Sequence, residues 1–274
     1  MKRIFLIVMA IALAVSCGKD SKSESKGKTN GDVVQIPVEA IDLGVECTRG
    51  DGTKYKLLWA AYNLCEDGFV SAAEEYGDYY AWGGIVPHYA KGHAKDKPCN
   101  SWREIDGKTM TGYNWASYKW CDGRQNAITK YCAASAADYW TGTGEVDDKV
   151  ELAAYDYADD AARKALDGKW RIPSSVEWAA LRSQCTWEWT TVNGVPGRKV
   201  TGISTGNSIF LPAAGLRNAD GLDGAGVEGN YWSSSINTLN PNIADSQKID
   251  SGNPRSSQQS RMYGFSIRPV WEAE

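Results

Sequence analysis

Histidine is almost missing from this 274-residue chain, with His88 and His93 its only copies, and four phenylalanines stand against 12 tryptophans and 14 tyrosines. Both histidines sit in Pro87-His88-Tyr89-Ala90-Lys91-Gly92-His93, a turn-rich stretch, which leaves no material for a multi-histidine metal centre and favours a surface role for each ring. No Cys-x-x-Cys pair occurs, so a zinc ribbon or a dithiol redox motif is excluded. No Gly-x-Ser-x-Gly elbow surrounds Ser233, Ser234 or Ser235, and no EF-hand spacing orders the acidic run Glu145, Asp147, Asp148, Glu151, Asp156, Asp159 and Asp160. That run reads as a solvated loop leading into a helix start. A basic stripe is missing too: 30 Lys and Arg face 34 Asp and Glu, so the electrostatic footprint of nucleic-acid binding is not there.

Apolar runs are short apart from one at the start. Met1-Lys2-Arg3 precedes Ile4 to Val15, the charged and apolar regions of a secretory signal and too short to span a bilayer. Leu13-Ala14-Val15-Ser16-Cys17-Gly18 then places small residues before a cysteine, as in the lipobox of bacterial lipoproteins, with Ala14 where leucine is more usual. The expected organisation is a signal peptide over 1–16, acylation of Cys17, a polar tether over 17–32 and one domain over 33–274. Acyl chains on Cys17 would hold the mature protein on the outer membrane, with the domain at the cell surface or on the periplasmic face. Beyond Cys17, Cys47, Cys65, Cys99, Cys121, Cys132 and Cys185 permit disulfides in an exported protein, without fixing any pairing.

Short runs of aromatic and β-branched residues bounded by Gly, Pro or Asn predict strands at 56–60, 78–82, 208–211, 231–235 and 265–270. Cys185 to Thr191, Asn193-Gly194 and Arg198 to Thr201 read as a hairpin around a turn with positive φ. Two helices are predicted: one over 159–166, opened by carboxylates and closed by Asp167-Gly168, and one over 175–184, opened by a capping box of Ser174 and Glu177 with Trp178, Leu181 and Cys185 on one face. Two helices among many short strands make an α+β domain. The abundance of Trp and Tyr suits either wet, half-exposed sites or the closing of a loop-rich core.

Five motifs appear in order: Tyr118-Lys119-Trp120-Cys121, Gly168 to Trp178 (GKWRIPSSVEW), Phe210 to Arg217 (FLPAAGLR), Gly229 to Ser235 (GNYWSSS) and Arg268-Pro269-Val270. Together they resemble the Fibrobacter succinogenes major paralogous domain family of exported Bacteroidetes proteins, over roughly residues 40 to 270. That family is similar to the C-type-lectin-like superfamily, which also holds formylglycine-generating enzymes and the variable proteins of diversity-generating retroelements. The resemblance implies a C-type-lectin-like domain: two helices flanking small twisted antiparallel sheets with long loops, and terminal strands paired near 56–60 and 266–270. Formylglycine-generating activity needs a cysteine pair late in the domain, and nothing after Cys185 is cysteine. The calcium-binding Glu-Pro-Asn and Gln-Pro-Asp motifs of animal lectins are missing as well. The expectation is therefore a binding protein and not an enzyme, with no cofactor or metal. An assembly component of a surface fibre or glycan-uptake complex is the alternative, with an enzyme of the formylglycine-generating superfamily as a more remote one.

Ile236 to Tyr263 is dense in short amide, hydroxyl and carboxylate side chains between two firm strands, the composition of an adaptable recognition loop. It is similar to the variable region of the retroelement-diversified relatives. Trp232, Ser235, Ile236, Asn237, Thr238, Asn240, Asn242, Asp245, Gln247, Asp250, Asn253, Arg255 and Tyr263 are the residues expected to face a glycan or protein ligand. For the anchor, Cys17→Ser is expected to abolish incorporation of radiolabelled palmitate in vivo and to leave the precursor uncleaved. Unchanged labelling would remove the lipid on Cys17 from the account.

Overall fold

A computed structural model describes residues 36–89, 102–132, 157–166 and 169–273. Cys17, the tether, His93, Cys99, Glu145 to Asp156 and Asp167-Gly168 lie outside the described residues. The fold is a set of small antiparallel sheets with two α-helices among the described residues; three of the sheets are two-stranded, β3 (Leu64–Cys65) with β4 (Gly68–Phe69), β5 (Arg103–Ile105) with β6 (Lys108–Met110) and β11 (Leu216–Asn218) with β12 (Gly221–Asp223). Strand β1 (Ala40–Thr48) turns at Arg49–Thr53 into β2 (Lys54–Ala60). The ladder slips between Asp42 and Val45, at Gly44. Gly44 has φ 71°, and a Cβ there would fall 1.9 Å from Ser204 Oγ, so the bulge requires glycine. The C-terminal strand β16 (Val270–Ala273) pairs with β2, and the two-residue β7 (Trp170–Arg171) completes the order β1-β2-β16-β7.

The terminal strand begins later than the 266–270 expected. Pro269 has no N–H to give a ladder, although its carbonyl accepts from Ala60 N at 2.9 Å. Phe265 and Ser266 instead bridge to Tyr80 and Tyr231 as isolated rungs, and the predicted strand at 78–82 reduces to that single rung at Tyr80.

The predicted hairpin forms as β8 (Cys185–Val192) and β9 (Val195–Gly202), with Asn193 at φ 46° and Gly194 at φ 84° in the turn, and β10 (Ser208–Pro212) joins β9. Both helices stand close to their predicted places: α1 (Ala161–Ala165), N-capped by Asp160, and α2 (Ser175–Gln184), with the capping box of Ser174 and Glu177 formed. The largest departure is at 236–263. In place of a loop, β13 (Gly229–Ile236) continues into β14 (Ile243–Ile249) and β15 (Arg255–Ser260), a meander in the order β13-β14-β15.

The stretch from Trp170 to Trp178 in the GKWRIPSSVEW motif proves to be a knot between strand and helix. Arg171 Nη1 and Nη2 donate to Glu177 Oε2 and Oε1 at 2.7 and 2.5 Å, Tyr55 OH donates to the same carboxylate at 2.8 Å, and Glu177 is 1% exposed. Burial alone would raise the Glu177 pKa, but the ion pair with Arg171 outweighs it and holds the carboxyl below its ordinary value. Asp160 Oδ2 meanwhile accepts from Ile172 N at 2.9 Å, tying α1 to the same segment.

Elsewhere, within the other motifs and outside them, arginines and ring N–H or O–H groups are set against buried carbonyls. Arg268, 0% exposed, donates to Ala60 O, Ala61 O, Phe210 O and Asn63 Oδ1 at 2.8 to 3.0 Å. Burial draws its pKa down to about 10, which leaves it charged at neutral pH. Arg261, also 0% exposed, donates to Pro241 O, Lys130 O and Tyr131 O and lies 4.6 Å over the Trp82 ring. Trp232 Nε1 donates to Tyr80 O, Trp82 Nε1 to Ser233 O, Trp178 Nε1 to Trp232 O and Tyr231 OH to Pro212 O. Of the two readings of the aromatic composition, these rings follow the core-closing one.

Cys47 and Cys185 share one core cluster as free thiols, each pushed up to about 11 by burial, which leaves them unreactive. His88 is no surface residue. It is 2% exposed, stacks on Tyr113 at 4.4 Å and places Nδ1 3.0 Å from Gly112 O.

Two stability tests follow from these contacts. Glu177→Ala leaves the Arg171 guanidinium buried without its carboxylate and should cost about 3–5 kcal/mol in urea unfolding at pH 7. Because the Glu177 pKa is depressed in the folded state, that cost should shrink as pH falls through the folded value. A cost below about 1 kcal/mol at pH 7 would show the knot to be dispensable. For His88, burial lowers the pKa from 6.5 to about 4. Its contribution is therefore intact above pH 6.5 and erodes as pH falls toward about 4, by on the order of 3 kcal/mol. His88→Phe should flatten the difference in unfolding free energy between pH 7 and pH 4.5, and an unchanged difference would place the titration elsewhere.

Candidate functional site

The β14–β15 hairpin is fixed at its tip and along one face. At the tip, Arg198 of β9 donates from Nε to Asp250 O at 2.9 Å, from Nη1 to Trp187 O at 3.1 Å and from Nη2 to Gly252 O. The Arg255 guanidinium pairs with the Asp250 carboxylate at 2.7 Å and, by its hydrogen bond, holds that carboxyl below its ordinary range. On the inner side, Ser233 Oγ donates to Asp245 O at 2.9 Å.

A groove of about 510 Å³ runs between this hairpin and α2, lined by Ser175, Val176, Ala179 and Arg182 from the helix and by Asp245, Ser256, Ser257 and Gln258 from the strands. Trp178 and Leu181 point α2 into the core, which leaves Val176 62% exposed at the groove. Arg182 donates to the side-chain carbonyl of the buried Gln247, and burial lowers its pKa from the ordinary value. Across the groove Asn237 Nδ2 donates to Gln258 Oε1 at 3.1 Å, and Gln258 Nε2 donates to Asp245 Oδ1 at 3.0 Å. Asn237 Oδ1 accepts from both Leu239 N and Asn240 N at 2.9 Å, so the amide that starts this relay is held by its own turn. One cation, one carboxylate, amides and hydroxyls thus line a shallow trough with an apolar floor at Val176 and Ala179.

The structure divides the thirteen expected ligand-facing residues. Trp232, Ser235, Ile236, Asn242 and Gln247 are corrected to interior positions, at 1, 5, 7, 5 and 0% exposure. Trp232 stacks on Phe265 at 4.1 Å, Ser235 Oγ accepts from Ser175 N at 3.0 Å, and Ile236 packs with Ala244. The physical reason is that these residues sit in a sheet whose inner face is core, where short polar side chains satisfy neighbouring backbone. Thr238, Asn240, Asn253 and Arg255 are exposed, and Asn237, Asp245, Asp250 and Tyr263 half-buried. Of these, Asp245 lines the groove and Asn237 reaches it through Gln258, whereas Asp250, Asn253 and Arg255 cluster at the far turn.

The sequence reading missed the helix contribution, Ser175, Val176, Ala179 and Arg182. An arginine and an exposed valine opposite the Trp178–Leu181 face were the available signal. A second cavity of about 410 Å³, lined by Ile41, Tyr62, Val192, Lys199, Phe210 and neighbours, is more apolar and lies away from the hairpin.

Several titratable groups near these elements already have partners. Glu228 pairs with Lys248 at 2.5 Å, Asp159 with Lys130 at 2.5 Å, and His88 with backbone. Among the described residues no three His, Cys, Asp or Glu side chains gather as metal ligands. No protein-family model matches the chain, and no curated protein or solved structure matches it either.

Proposed function

We propose that this chain is a lipid-anchored envelope protein, held on the outer membrane through Cys17, whose domain binds an extracellular glycan or protein ligand in the groove between α2 and the β14–β15 hairpin. On this reading the domain is C-type-lectin-like and akin to the Fibrobacter succinogenes major paralogous domains, and it works by recognition and not by turnover. The observation that carries the proposal is the hydrogen-bonded relay Asn237–Gln258–Asp245 facing Arg182 across an open trough. Donors and acceptors already ordered by one another lose little freedom when a ligand arrives. Most of the residues in the motifs behind the resemblance are spent on the interior, Ser175 and Val176 at the groove being exceptions, as suits a scaffold whose specificity is set largely by side chains outside them.

The test is binding of the purified full-length protein to a glycan array and to an array of cell-surface proteins. Asp245→Ala combined with Gln258→Ala is expected to weaken the recovered interaction by at least ~10-fold, with a melting temperature within a few degrees of wild type. Lys54→Ala, on β2, should change nothing. Binding that survives the double substitution would move the site away from the groove.

A further inference from the structure

The groove has a second property, in the backbone of its outer wall. β15 is the edge of its sheet, and its six residues pair with β14 in unbroken register from Ile243↔Ser260 to Lys248↔Arg255. Arg261 N donates to Asn242 O at 3.1 Å, one step beyond that register, which makes Asn242 and Arg261 a hydrogen-bonded pair. Pairs alternate along an antiparallel ladder, so Arg255, Ser257 and Gln259 direct their N–H and C=O toward β14, while Ser256, Gln258 and Ser260 direct theirs outward.

Several other strand edges are closed by side chains. Gln184 holds both N and O of Glu46 on β1, Trp178 and Trp82 donate to Trp232 O and Ser233 O on β13, and Arg268 donates to Phe210 O on β10. Among the described residues, the one bond to an outward group of β15 is main-chain, from Tyr263 N to Ser260 O at 3.1 Å. The usual guards of an edge, a bulge, a proline or a lysine within the strand, do not occur between Arg255 and Ser260.

The two open residues are also groove residues. Side chains alternate along a strand, so Ser256 and Gln258 share a face, and both line the trough beside Val176, Ala179 and Arg182. A chain laid antiparallel or parallel along β15 would hydrogen-bond to Ser256 and Gln258, and every second side chain of it would hang over α2. There it meets a small apolar floor and a guanidinium whose partner is the neutral amide of Gln247.

We infer that the ligand class of the groove is an extended polypeptide segment that adds a strand to β15, with alternate side chains in the trough and a carboxylate among them at Arg182. This rests on the groove being the binding surface. It narrows the ligand from glycan or protein to a peptide strand, because main-chain pairing needs amides that a glycan chain does not present in strand order.

The experiment selects a phage-displayed random nonapeptide library on the detergent-solubilised full-length protein. A selected peptide is then synthesised with N-methyl groups on alternate residues, in each of the two phases. One phase should lose at least ~10-fold in affinity and the other little, because only one set of amides faces β15. Gln258→Ala keeps the outward N–H and Gln258→Pro removes it without touching the ladder to β14, so the proline variant should bind at least ~10-fold more weakly than the alanine variant. Arg182→Gln should abolish the enrichment of acidic residues at one position of the selected peptides. Equal effects of the two methylation phases, equal affinities of the Gln258 variants, or no enriched peptide would overturn strand addition. If a glycan is then found whose binding requires Asp245, the groove reading stands alone. If peptides bind in this phase-dependent way but indifferently to Asp245→Ala and Arg182→Gln, the edge is used and the groove is not.

Discussion

A chain with this much irregular backbone in its interior has to find partners for its carbonyls, and the structure depends on how it does so. An unpaired buried carbonyl costs about 1–3 kcal/mol, so several left open would consume a typical domain's whole stability. Guanidinium groups supply up to five donors each and ring N–H and O–H groups one apiece. Arg268 alone holds the end of β2, the strand β10 and Asn63. Arg261 gathers Pro241, Lys130 and Tyr131, three carbonyls from two parts of the chain far apart in sequence. Neither makes an ion pair among the described residues, so their charge is balanced by oriented carbonyl dipoles and aromatic faces. The scarcity of phenylalanine has the same root, since a ring without a donor fills space but satisfies nothing.

This interior is what makes the outer hairpin a platform. β13 is fixed on its carbonyl side by Trp82 and Trp178, and on its inner face by the Trp232–Phe265 stack. β14 inherits that position through the ladder, and Arg198 pins the turn beyond it. α2 is held independently by Arg171 and Glu177. The two walls of the groove are thus each anchored to the core, and polar side chains between them can be exchanged without loosening either wall. Such a division of labour suits recognition, where affinity follows from donors and acceptors that need little ordering.

Much of the framework was legible in the sequence because its signals are local. The capping box at Ser174 and Glu177, the Asn193-Gly194 turn and the helix start at Asp160 each depend on a few neighbouring residues. The segment 236–263 was misread as a loop because its strands are built from Ser, Gln and Asn, residues with little strand preference. They pair there because β13 offers a template and because Ser246, Gln247 and Arg261 satisfy buried groups. Gln247 and Asn242 look like surface residues in sequence and are interior in space, since their partners Arg182 and Arg261 come from other parts of the chain. The helix wall of the groove was invisible for the same reason: nothing near Arg182 in sequence announces Asp245 or Gln258.

Amide-resolved hydrogen exchange of the free protein tests most directly whether a rigid interior presents an open, anchored hairpin. The account predicts slow exchange from Tyr231 to Ser235 and at Ser257 and Gln259, with fast exchange at the alternating amides of Ser256 and Gln258. Protection of those two amides at the level of β14 would mean that the edge is already covered. Uniformly fast exchange from Arg255 to Ser260 would mean that the hairpin is not held at all.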